Sequence, residues 1–173
     1  GNIILFKKFF EDEDENSKKK IYAFDTYEGM TEPDKNDYDI SSNIPADILL
    51  KGDKAKRTNI WGICNLENVK KNIQSCVNST ENIKFIKGPV ETTLNDTSNL
   101  PDKISLLRLD TDWYNSTKKE LDVLYDKVMP GGIIIIDDYG HWGGSKKAVD
   151  DFFFNKYVWM HYVDYACRLI IKD

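Results

Sequence analysis

The chain has 173 residues, enough for one domain with a hydrophobic core. Hydrophobic residues make up 40 % and charged residues 31 %, the balance of a soluble globular protein, and the net charge of -5 argues against a surface built to neutralise nucleic-acid phosphates. Apolar runs such as Ile133–Ile136 are far too short to span a bilayer, and the three cysteines (Cys64, Cys76, Cys167) fit neither a disulfide framework nor a metal framework. Reduced thiols, no secretory lead-in at Gly1–Phe6 and no membrane segment set the expectation of a cytoplasmic protein.

Residues 3–10 read as an apolar helical segment. The acidic and basic block Glu11–Lys20 reads as a solvated loop, with a docking tag as the rarer alternative. Ile21-Tyr22-Ala23-Phe24 is a short strand ending at Asp25-Thr26. Residues 28–60 are polar and punctuated by Gly29, Pro33, Pro45 and Gly52, which reads as a long loop of the kind that forms lids. Leu66, Val69, Ile73 and Val77 recur at helical spacing and predict a helix over 66–77. Strands follow at 83–86, stopped by Gly88-Pro89, and at 104–109, ending in Asp110. Thr117 and Glu120 have the spacing of a capping box, opening a helix that carries Leu121, Leu124, Tyr125 and Val128 and stops at Pro130-Gly131-Gly132. Ile133–Ile136 suits a strand buried on both faces of a parallel sheet. Ser145 is placed to cap a short helix with Ala148, Val149, Phe152 and Phe153; residues 157–165 and 167–171 then read as a closing antiparallel hairpin. Strands alternating with helices predict an α/β domain with a mainly parallel sheet, a single domain over 1–173.

Two consecutive strands thus end in carboxylates, Asp110-Thr111-Asp112 and Asp137-Asp138. Ligands of open α/β sheets bind beyond the carboxyl ends of the strands, and neighbouring strand tips lie roughly 5 Å apart. Carboxylates crowded there repel one another unless they are protonated or hold a hard cation such as Mg²⁺. A cation would activate a substrate hydroxyl, with a further carboxylate as general base. A lone strand-end aspartate is as often a turn cap; the two acidic pairs together favour a site. Spacing alone leaves the reaction open. Metal-dependent glycosyltransferases also use Asp-x-Asp, whereas the motif order fits poorly with haloacid-dehalogenase-like phosphatases and response regulators.

The string Leu107-Arg108-Leu109-Asp110-Thr111-Asp112-Trp113-Tyr114-Asn115-Ser116-Thr117, then Leu124-Tyr125, Pro130-Gly131-Gly132, Asp137-Asp138-Tyr139-Gly140 and Ala148-Val149-Asp150, closely resembles the macrocin O-methyltransferase (TylF-like) family. Phe24–Gly29, Leu66–Val69 and Gly88–Leu94 resemble that family's minor segments in the same order, so the likeness runs over about residues 1–155. It implies a class I methyltransferase (Rossmann-like) fold, S-adenosylmethionine as donor, Mg²⁺ as cofactor and a hydroxyl of a sugar or other polyol as acceptor. It places Asp110, Asp137 and Asp138 on the metal and makes Asp112 the general base. Asp25 and Thr26, at a strand end, Gly88 and Asp110 would meet the donor. His141 and Trp142 are candidates to line the acceptor pocket, against the bland reading of a solvated loop, and Trp61 is a lid candidate or a packing residue.

The family's first strand and its Gly-rich donor loop have no counterpart here, so the resemblance implies a sheet lacking the strand beside Asp25, an exposed edge that favours homo-oligomers, and weak donor binding. A non-catalytic methyltransferase-like binding module is the alternative.

Overall fold

The computed structural model describes residues 1–13, 18–56 and 61–173, so residues 14–17 of the acidic and basic block and 57–60 of the long loop lie outside it. Helix α1 (Asn2–Glu13) leads to β1 (Ile21–Asp25), α2 (Ala46–Lys56) and α3 (Leu66–Gln74). Then come β2 (Ile83–Lys87), the one-turn α4 (Val90–Thr93), β3 (Ile104–Leu109) and α5 (Tyr114–Leu124). The chain continues through β4 (Val128–Ile136), α6 (Gly143–Phe153), β5 (Met160–Tyr162) and β6 (Arg168–Ile171).

Among the described residues the strands form two groups. β1 and β2 pair in parallel from Ile21↔Ile83 to Asp25↔Lys87. The second sheet has the order β3-β4-β6-β5. β3 and β4 run parallel with Leu109 opposite Ile136, while β6 is antiparallel to both β4 and β5. Among these residues no hydrogen-bonded ladder joins the two groups, and the expected C-terminal hairpin is present.

The core explains why the long apolar runs became strands. Ile134, Ile136 and Ile170 are fully buried against Leu121 and Leu124 of α5 and Val149 and Phe153 of α6. Burying each such side chain is worth about 1.5–3 kcal/mol. The expectation that Ile133–Ile136 is buried on both faces is corrected: Ile133 is 36 % exposed, as is its neighbour Leu106, and Ile171 is 51 % exposed. Both helices of this core lie behind Ile134 and Ile136, and side chains alternate across a strand, so Ile133 and Ile135 point the other way.

Other expectations need correction. Residues 28–60 are not one loop, because α2 occupies 46–56 and buries Ala46 and Leu50 one turn apart. They meet Trp61, Trp113 and Trp142 in a second apolar cluster. Strand β4 starts at Val128 and runs through Pro130-Gly131-Gly132, which were expected to punctuate. Helix α5 begins at Tyr114, with Trp113 as its N-cap, so Thr117 and Glu120 form no capping box: Thr117 N–H already donates to Trp113 C=O as an interior helical bond. Trp142, not Ser145, is the N-cap of α6.

Candidate active site

The parallel register of β3 and β4 brings both acidic pairs to one edge. Asp137 N–H donates to Leu109 C=O at 3.0 Å, so Asp110 and Asp137 leave adjacent strand ends side by side. Carboxylate oxygens of Asp110, Asp112 and Asp138 lie within 4.8 Å of one another. Asp112 reaches this position through a left-handed backbone (φ 68°), a conformation that costs a non-glycine residue about 1 kcal/mol or more. Asp137 stands differently: its Oδ2 accepts a bond from Arg108 Nη2 at 2.7 Å, and Arg108 also pairs with Asp110.

The electrostatics are those of an under-neutralised acidic pocket. Burial, together with the neighbouring Asp137, pushes Asp110 up to about 6 against the opposing pull of Arg108. Burial and the nearby Asp138, Asp110 and Asp137 hold Asp112 well above the ordinary carboxyl range, and burial also raises Asp138. Asp138 Oδ2 is buried without a hydrogen-bond partner. An all-oxygen donor set, crowded enough to retain protons and carrying an orphaned oxygen, fits a hard divalent cation. Asp110, Asp112 and Asp138 are the residues that could hold such an ion.

A second feature lies at the ends of β1 and β2. An open cleft of about 400 Å³ is lined by Thr26, Glu28–Thr31 and Lys87–Pro89. Thr26 and Gly88, expected at the donor, therefore do share a cavity. Gly88 has φ +135°, where a side chain would be strained, and a Cβ there would come within 3.0 Å of Thr93 Cγ2. Asp25 Oδ1 accepts the Tyr27 N–H at 2.6 Å, tightening the turn into the cleft. Lys87 and Glu28 form an ion pair across it.

One strap of chain joins cleft and carboxylates. Trp113 Nε1 donates to Thr31 C=O, in the cleft wall, at 2.9 Å. Asp37, only 2 % exposed, accepts the N–H of Tyr114 at 2.8 Å and that of Asp34 at 2.7 Å. Ile40 N–H donates to His141 C=O and Gly143 N–H to Tyr38 C=O, so residues 37–40 lie over the start of α6. Nothing in the sequence distinguishes Asp37 from the acidic residues around it. Trp142 does not line an open pocket, being 6 % exposed and packed edge-on against Trp113 at 4.9 Å. Trp61 is likewise a packing residue, donating through Nε1 to Leu50 C=O. His141 is partly exposed, sits 3.8 Å from Asp39 and lies edge-on to Tyr165 at 6.1 Å.

The signature of the macrocin-O-methyltransferase (TylF) family matches residues 1–168. The demethyldecarbamoylnovobiocin O-methyltransferase of Streptomyces niveus is 37 % identical over 86 residues, 50 % of this chain and 32 % of that protein. A tetracenomycin-C rhamnosyl 4'-O-methyltransferase of Streptomyces olivaceus is 25 % identical over 137 residues, 79 % of this chain and 48 % of that protein. Among solved structures, the O-methyltransferase NovP superposes with a TM-score of 0.78 at 24 % identity, covering 98 % of this chain and 66 % of that one. CalS11, described as a TDP-rhamnose 3'-O-methyltransferase, gives 0.62 at 18 % identity with the same coverages. These two likenesses establish the methyltransferase fold. The chain spans at most half the length of the curated relatives and about two thirds of the solved ones. With the acidic pairs, the strand order and the motif string in agreement, the chain belongs to the macrocin-O-methyltransferase (TylF) family.

Proposed function

We propose that this chain forms the catalytic part of an S-adenosylmethionine- and Mg²⁺-dependent O-methyltransferase acting on a hydroxyl of a sugar-bearing small molecule. The observation that carries this reading is the meeting of Asp110, Asp112 and Asp138 at the tips of β3 and β4, with one orphaned oxygen among them. Supporting it, the curated relatives are named as O-methyltransferases, one of them of a rhamnosyl-bearing compound, and the cleft beside Thr26 and Gly88 has room for a nucleoside.

Asp110 and Asp138 would hold the cation, joined by Asp137 once Arg108 releases it. A bound Mg²⁺ would supply positive charge that lowers the pKa of an acceptor hydroxyl and of the adjacent carboxylates. Asp112 then takes the hydroxyl proton on a carboxylate oxygen. S-adenosylmethionine, when bound, would supply the methyl group to the acceptor oxygen and leave as S-adenosylhomocysteine. Asp25, Thr26 and Gly88 orient the donor in the cleft, and the strap over residues 31–40 keeps that cleft in register with the acid cluster. The partner is a small molecule.

Calorimetric titration with Mg²⁺ tests the site. The wild-type chain should take up one ion and Asp138→Ala should lose it, while Asp25→Ala should retain it. Equal uptake by wild type and Asp138→Ala, or none by either, would overturn the assignment.

A further inference from the structure

The acidic loop is held from behind by a group that the proposed chemistry does not use. Glu120, on the inner face of α5, is 6 % exposed, and its Oε2 accepts the Thr111 hydroxyl at 2.9 Å. Thr111 is the residue between Asp110 and Asp112. Its carbonyl is held as well, by Trp113 N–H at 2.8 Å and by Ser116 Oγ at 3.3 Å. The carboxylates facing Glu120 are Glu91 from α4 and Asp110. Burying a carboxyl among other carboxyls is expensive, and a leucine would fill the same space in this core at no such cost. The hydroxyl of Thr111 is what the polar group gains. Because Asp112 sits in a left-handed conformation, the loop needs outside restraint to keep it there.

We propose that Glu120 is a positioning residue for the acidic loop: its buried carboxyl anchors Thr111 and thereby keeps Asp112 turned toward Asp110 and Asp138. This rests on the reading of those three residues as the cation and base site. Thr111 and Glu120 act as a pair, so losing either should have the effect of losing both.

The experiment compares wild type with Glu120→Gln, Glu120→Leu, Thr111→Val, Thr111→Ser and the Leu/Val double variant. Mg²⁺ affinity is read by calorimetry, and the Trp113–Trp142 pair by near-ultraviolet circular dichroism. Glu120→Leu and Thr111→Val should each weaken Mg²⁺ by about tenfold, the scale of one buried hydrogen bond, and the double variant no further. Glu120→Gln keeps an acceptor oxygen and Thr111→Ser keeps the hydroxyl, so both should stay within about twofold of wild type, with an unchanged aromatic spectrum. Glu120→Leu that melts earlier yet binds Mg²⁺ as wild type does would make Glu120 a packing residue and overturn the proposal. If wild type takes no Mg²⁺, the cation reading fails by itself and the spectrum decides: loss of the tryptophan-pair signal in Glu120→Leu, restored in Glu120→Gln, supports the anchoring, and an unchanged signal refutes it.

Discussion

Asp37 is the residue whose removal should be felt most across the strap. Its carboxylate caps α5 through Tyr114 N–H and closes the 34–37 turn through Asp34 N–H, while 2 % of its surface remains exposed. Asp37→Ala leaves both N–H groups without their acceptor. Orphaning a buried donor of a charge-assisted bond costs about 1–3 kcal/mol, and loss of a helix cap about 1 kcal/mol. Burial already raises the pKa of Asp37 against the pull of those two bonds, so part of that cost is returned when the carboxylate leaves. The net should be about 2 kcal/mol, or roughly 6 °C in melting temperature for a domain of this size. Urea unfolding followed by tryptophan fluorescence reads it directly. Gly144→Ala should do at least as much, because its Cβ would fall 1.8 Å from Asp37 Oδ1 and 2.7 Å from Tyr114 N. A shift below about 2 °C in both variants would refute the view that the strap is locked to α5 and α6 through this carboxylate.

Gly140→Ala should detach the turn between β5 and β6, since the added carbon would lie 1.7 Å from Tyr165 C=O and would break the Gly140 N–H bond to Ala166 C=O. Chymotrypsin should then cut at Tyr162 or Tyr165 faster than in wild type; equal rates would contradict this. Stability without metal should fall as pH rises. Asp110 at about 6 and the raised Asp112 and Asp138 hold protons in the folded chain at a pH where the unfolded chain has lost them. The folded state therefore binds more protons, and stability declines from the ordinary carboxyl range near pH 4 upward through the folded values. Melting in EDTA between about pH 5 and pH 8 should show this decline, and Asp112→Asn should flatten it; identical slopes would show that the cluster is not under-neutralised.

What could be read from the sequence was what rests on contiguous signals. Leu107–Leu109 and Ile133–Ile136 are apolar runs ended by acids, so both strands and the meeting of Asp110 with the second acidic pair were legible. Helix α2 was not, because the contacts that hold it come from Ala46 and Leu50 beneath distant tryptophans, in a stretch otherwise polar and broken by Gly52. The start of β4 was hidden because Pro130-Gly131-Gly132 punctuates locally, whereas Val128 pairs with Ile104 across the sheet. Thr117 and Glu120 mimic a cap by spacing, but Asp37, 77 residues from Tyr114, supplies the real acceptor at that helix start. The Arg108 partner of Asp137, one strand over, was likewise not legible from the motif. Each miss is a contact distant in sequence, which periodicity and motif spacing do not encode.

The most direct test of the central claim is calorimetric titration of the chain with S-adenosylhomocysteine, with and without Mg²⁺, beside the Gly88→Val variant. Product binding that Gly88→Val abolishes is expected, because the cleft at Gly88 is where the nucleoside would lie, together with Mg²⁺ uptake in both proteins. Product binding unaffected by Gly88→Val would place the donor elsewhere, and a wild-type chain that binds neither product nor Mg²⁺ would contradict the account.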